Sequence, residues 1–265
     1  MCATILAEER ERAAAGIARR LYVSWQDADR RSFVPVGVLT WASDGYDFRY
    51  LSAARDDNEF RPFIGFPDLG RVYRSTELFP FFENRLMPRS RPDYPAYLAA
   101  LGLPGDADPF EVLARSGGDR ATDTIEVVAE PLVDDSGYAT CHFLVRGVRH
   151  VEGADDAIDS LSIDDLLSTE PDVDNPYDDH ARYVVTLDGA HVGYVPSYLT
   201  AFLARAAEGG GEEAIEVRVV HIGERSGPSH FRLLCRLEVP WQLHEAPFAG
   251  SAFEPLVAEG FDPQP

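Results

Sequence analysis

The chain has 265 residues, 45% of them hydrophobic and 11% aromatic, which excludes wholesale disorder and allows one large domain or two ordinary ones. Its formal charge is −21 and all 24 basic residues are arginine, with 16 arginines against 21 acidic residues in 1–131 and 8 against 24 in 132–265. A surface of that sign repels phosphate backbones at long range.

In chain order, an amphipathic helix is expected over 5–20. It lacks the apolar core of a secretory signal. No run of about 18 apolar residues spans a membrane, and the three cysteines (Cys2, Cys141, Cys235) are too scattered for a disulfide framework or a zinc site. These features point to the cytoplasm, and the arginine-only basic set to a GC-rich, bacterial genome. Strands follow at 21–25, 33–41 and 46–51, the last two separated by a Ser43-Asp44-Gly45 turn. Helices are expected at 80–86, 94–101 and 109–114, the third broken by Ser116-Gly117-Gly118-Asp119. A strand at 124–128 closes this half, and Asp134-Asp135-Ser136-Gly137 reads as a linker.

The second half opens with a long strand over 138–148. An acidic, partly helical stretch at 158–167 follows; from Glu152 to Asp179 there are eleven acidic residues and no basic one. Asn175-Pro176 starts a turn. The β-branched and aromatic run 183–187, the Asp188-Gly189 turn and the run 192–195 make a hairpin. Pro196 then opens a helix over 198–207, which Gly209-Gly210-Gly211 stops. Strands at 214–222 and 231–239 end the fold, before a loose tail. The expected architecture is α+β and β-rich, with domains at 1–131 and 137–242 and a tail at 243–265.

The stretch 170–196, EPDVDNPYDDHARYVVTLDGAHVGYVP, resembles the core of the HIRAN domain family. The likeness lies in the NPYD corner, the hairpin and the VGYVP step into a helix. It implies an OB-like β-barrel with short helices that binds single-stranded DNA ends and recognises the 3′-hydroxyl. By the same resemblance, Gly147-Val148-Arg149-His150-Val151 stands at a family strand of pattern GxRYY. Arg149 would grip a phosphate with its fork of donors, and His150 would stack on a base. Val151 lacks the second π-face. Asp178 would accept the terminal hydroxyl, with Asn175 and Tyr177 beside it, and Gly193 and Tyr194 would line the groove. Ser197 stands where the family presents Arg or Lys.

Simpler roles stand beside these. Asn175 and Asp178 can satisfy turn backbone groups. Tyr177 and Tyr194 can pack with their hydroxyls at the rim. Gly193 can allow close packing beneath the helix, and Arg149 can pair with an internal carboxylate such as Asp178.

The first half carries a looser resemblance. VPVGVLTW (34–41), YDFRYL (46–51), LFPFFENRLMP (78–88) and DPFEVLARSGGDRATDTIEV (108–127) are similar in order and type to the N-terminal subdomain of the HipA toxin family. It covers about 20–130, and Ala121-Thr122 replaces the family's glycine-alanine. No ATP loop, catalytic HxxxD or metal-binding DxN follows. Elsewhere no histidine falls at metal-ligand spacing, and GxSxG, HExxH, Walker and GxGxxG motifs are missing. The chain therefore reads as non-catalytic, with no cofactor and no bound metal.

Two functions fit. One is recognition of a single-stranded DNA end, with the first domain docking a protein such as a helicase, a nuclease or a HipA-type kinase. The alternative is an antitoxin-like module that neutralises such a kinase, its acidic HIRAN half having lost DNA binding.

Overall fold

The structure is a computed structural model that describes residues 19–26, 33–42, 45–120, 123–241 and 245–257. The expected helix at 5–20 falls almost wholly outside these residues, as do Ser43, Asp44, Ala121 and Thr122. Two compact units emerge. Of the described residues, the first combines those of 19–91 with those of 106–130 and 248–257, and the second combines 92–105 with those of 131–247.

The first unit is built on a five-stranded antiparallel sheet. Its strands are β1 (Arg19–Gln26), β2 (Phe33–Ala42), β3 (Gly45–Tyr50), β4 (Tyr73–Ser75) and β5 (Ile125–Ala129), in the order β4-β3-β2-β1-β5. Its helices are α1 (Ser52–Asp56), α2 (Pro80–Glu83) and, after a helix that belongs to the second unit, α4 (Pro109–Ser116). The start of α4 follows from its sequence. Asp108 accepts from the Glu111 N–H and Glu111 accepts from the Asp108 N–H, a reciprocal cap, with Pro109 in the first turn and Gly117 left-handed at the end. The core is aromatic: Phe48 lies 4.2 Å from Phe66, and both are buried. The Tyr50 hydroxyl donates to the Phe66 carbonyl and accepts from the Phe63 N–H, each at 2.8 Å, which satisfies a buried polar group. Residues 248–256, part of the stretch the sequence suggests is loose, are ordered on this unit. Phe248 and Phe253 pack edge-on against Tyr22, and the Leu256 N–H bonds the Tyr50 carbonyl.

The second unit holds a seven-stranded antiparallel sheet. Its strands are β6 (Leu132–Val133), β7 (Tyr138–Leu144), β8 (Leu166–Pro171), β9 (Arg182–Thr186), β10 (His191–Tyr194), β11 (Glu216–Ile222) and β12 (Leu233–Pro240), in the order β10-β9-β8-β11-β12-β7-β6. Three helices accompany it: α3 (Tyr94–Ala100), α5 (Ala154–Asp159) and α6 (Ser197–Gly210). The ring of Tyr97 in α3 meets Phe231 edge-on at 5.8 Å, and Phe202 of α6 packs on Trp241 at 4.8 Å.

The expected barrel is not closed. The sheet is open, and only an isolated bridge joins β10 to the residues after β7, through paired bonds between Arg146 and Tyr194 at 2.8 and 2.9 Å. The strand expected over 138–148 also ends early, at Leu144. Gly147 adopts φ 67°, a left-handed conformation that leaves the extended region, and the chain turns into a 3₁₀ helix over Val148–His150.

Candidate functional site

The loop between β8 and β9 is organised by one side chain. Asn175 Oδ1 accepts from the N–H groups of Tyr177 (3.0 Å) and Asp178 (3.2 Å), while its Nδ2 donates to Asp172 Oδ2 (3.0 Å). The loop base is closed by the Asp172 N–H bonding the Ala181 carbonyl at 2.8 Å. Asn175 is thus an Asx-type organiser, as its residue type suggests. Asp178 ties the same corner to α6: its oxygens accept from the His180 N–H (2.9 Å) and the Thr200 hydroxyl (3.0 Å). Two of its lone-pair positions remain for another donor. Tyr177 is 65% exposed beside it.

Asp172 links this corner to β10. Its Oδ2 also accepts from the Tyr194 hydroxyl at 3.1 Å. The hydrogen bond from Asn175, with further bonds from Tyr194 and Tyr183, holds the Asp172 carboxyl below the usual carboxylate range. The Tyr194 hydroxyl is pushed the other way, upward, first by burial and then by its bonds to Tyr183 and Asp172. The anchoring role of Asp172 is not legible in the sequence, because it depends on the fold bringing β10 to the loop.

Tyr194 does not stand alone. It faces Tyr183 across the β9–β10 pair, with ring centroids 4.4 Å apart, and Tyr183 in turn stacks on His191 at 4.2 Å and 13°. The result is a three-ring column. Sequence reasoning missed Tyr183 and His191; the signal was the hairpin itself, whose Asp188-Gly189 turn fixes which residues lie opposite each other.

Gly193 permits the close approach that positions Tyr194. With φ +144°, a Cβ there would lie 2.5 Å from Val145 Cγ1 and 2.6 Å from the Arg146 carbonyl oxygen. The close neighbour is therefore the segment after β7 and not the helix, as the sequence suggests. That same segment carries Arg149 and His150. The Arg146–Tyr194 bridge holds it against β10, and a Cβ on Gly147 would sit 3.2 Å from Tyr194 Cδ2. Both Arg149 and His150 are exposed, and the Arg149 Nε donates to His150 Nε2 at 3.1 Å. Among the described residues Arg149 makes no ion pair. The alternative pairing with Asp178 is not formed.

The acidic run is less free than its sequence implies. Arg232, with 2% of its side chain exposed, pairs with Asp155 (2.8 Å) and Asp159, and also bonds the Gly223 carbonyl. Arg225 pairs with Asp156 and lies 3.7 Å from Asp159. Three carboxylates of α5 are therefore engaged by two arginines. Ser197 is exposed at the start of α6, so that position supplies no cation. Among the described residues no group of three or more His, Cys, Asp or Glu is placed to hold a metal ion, and no helix is long and apolar enough to cross a membrane.

Residues 138–243 match the model of the HIRAN domain family, so this part of the chain is a HIRAN domain. Two crystal structures are similar to the chain. One is a protein from Lactobacillus plantarum, 21% identical over 39% of this chain and 97% of its own, with a TM-score of 0.32. The other is the HIRAN domain of human HLTF, 20% identical over 40% of this chain and 78% of its own, with a TM-score of 0.27. No curated protein matches the chain.

Proposed function

We propose that the second unit is a non-catalytic module that binds the end of a single DNA strand through its 3′-hydroxyl, and that the first unit docks a protein partner. The observation that carries the DNA reading is the exposed Arg149–His150 turn, held near Tyr194 by the Arg146–Tyr194 bridge, which places a cation and a π-face beside an aromatic ring. Arg149 supplies a phosphate fork without an internal carboxylate to compete for it. Asp178 keeps acceptor capacity for a terminal hydroxyl, and Tyr194, fixed by Asp172, offers a ring to the terminal base.

The test is binding of short oligonucleotides that end in a 3′-hydroxyl or a 3′-phosphate, followed at low salt. A free hydroxyl should bind at least about tenfold more tightly, consistent with roughly 1.4 kcal/mol for a hydrogen bond to a charged acceptor. Arg149→Ala should weaken both ligands, whereas Asp178→Ala should erase the difference between them. Equal binding of the two ends, or no binding of either, would sink the reading.

A further inference from the structure

We infer that the Tyr194–Tyr183–His191 column is a second nucleobase platform, which extends the site from the terminal nucleotide to a base further along the strand. The inference rests on the DNA-end reading of the same unit and adds two residues to it.

The geometry is that of three adjoining rings, Tyr183 and His191 stacked and Tyr194 tilted by 37° to Tyr183. Tyr183 is held between Tyr194 at 4.4 Å and His191 at 4.2 Å, the latter nearly parallel at 13°. All three rings are only partly buried, which distinguishes the column from the surrounding core, where Val184, Val185 and Val192 are at most 1% exposed. Cross-strand aromatic pairs do stabilise hairpins, and one pair, Tyr183 with Tyr194, would serve that need. His191 adds a third ring at the outer end, with 38% of its side chain exposed. It also sits on the sheet's last strand, since β10 has β9 on one side and on the other only the bridge at Tyr194. Among the described residues no strand covers the His191 end.

Charge favours stacking as the means of grip. The half of the chain containing this unit carries 8 arginines against 24 acidic residues, and Ser197 supplies no cation. Glu170 lies 3.5 Å from His191 Nε2, an edge atom of the ring. A carboxylate at that place disfavours a phosphate near the ring edge and leaves recognition to the ring's face. A strand whose backbone is weakly held needs π-contacts to bases, which are sequence-tolerant and insensitive to salt compared with phosphate contacts.

The experiment uses the full chain and a ladder of 3′-hydroxyl oligonucleotides of two to eight nucleotides, read by competition against a fluorescent strand. In the native protein, affinity should rise roughly tenfold when the ladder passes from the shortest strand to one that reaches His191. His191→Ala should remove that rise and leave the shortest strand's affinity unchanged. His191→Phe, which restores a ring face without the imidazole nitrogens, should recover it. A rise that survives His191→Ala overturns the platform, as does a native ladder with no rise at all or an equal loss on every length. Native protein that binds no strand overturns the DNA-end reading itself, and the platform with it.

Discussion

At the scale of single residues, Gly193 is the tightest constraint in the second unit. Two effects meet there: a φ of +144°, which disfavours any side chain, and a Cβ position 2.5 Å from Val145 Cγ1 and 2.6 Å from a backbone oxygen. Gly189, in the hairpin turn, separates them, because it has φ +91° but no atom within 4 Å of a Cβ. Gly189→Ala should cost about 1 kcal/mol of backbone strain. Gly193→Ala should cost about 3 kcal/mol, since overpacking is added and the obstruction is partly main chain. Urea unfolding of the two variants measures the difference; equal losses would show that the collision relaxes freely. The glycine was legible in the sequence as a place of close approach. Its neighbour was not, because the bridge from Arg146 to Tyr194 joins residues 48 positions apart.

At the scale of elements, legibility tracked how local each signal was. The glycine stop of α4, the hairpin and the start of α6 are all readable, since each is set by residues within a few positions. The corner at Asn175 was readable for the same reason. The column of rings and the anchor at Asp172 were not, because both depend on register and on loop placement. The turn at Arg149 reads as strand in the sequence, but a left-handed Gly147 outweighs the extended preference of its neighbours.

The acidic run shows the same limit. It reads as an unpaired repulsive surface, yet α5 is clasped by Arg225 and Arg232, which lie some 70 residues further on. Arg232→Met keeps the apolar stem and deletes the clasp. Asp155 and Asp159 are 44% and 47% exposed, so water takes up their charge once the arginine is gone. The cost should therefore be about 1–2 kcal/mol, below the 3–5 kcal/mol of a fully buried broken pair. Amide exchange over 154–159 should quicken while that of β12 stays slow. Unchanged exchange in α5 would mean that the clasp does not hold the helix.

For the whole molecule, the absence of lysine has a thermodynamic consequence. Arginine stays protonated beyond pH 12, so side-chain amines do not titrate between pH 10 and 12 and the buried tyrosines dominate that window. Burial, with the Glu130 carboxylate adding to it, pushes the Tyr22 hydroxyl up to about 12, and burial also raises Tyr46 and Tyr50. All three lie in the first unit. The unfolded chain releases these protons near pH 10, whereas the folded chain keeps them to higher pH. Folded protein then binds more protons than unfolded, and stability falls as pH rises. The contribution is fully present below pH 10 and is lost progressively toward pH 12, by roughly 2–3 kcal/mol for Tyr22 alone. Cys235, buried in the second unit, has its thiol raised by burial and acts in the same direction there. Urea midpoints at pH 8, 10, 11 and 12 should be level at first and then drop, with tyrosinate absorbance rising as the protein unfolds. Tyr22→Phe removes one titrating hydroxyl that has no hydrogen-bond partner among the described residues, so it should flatten the drop while changing stability at pH 8 little. A drop of the same size in that variant would assign the alkaline loss to groups other than Tyr22.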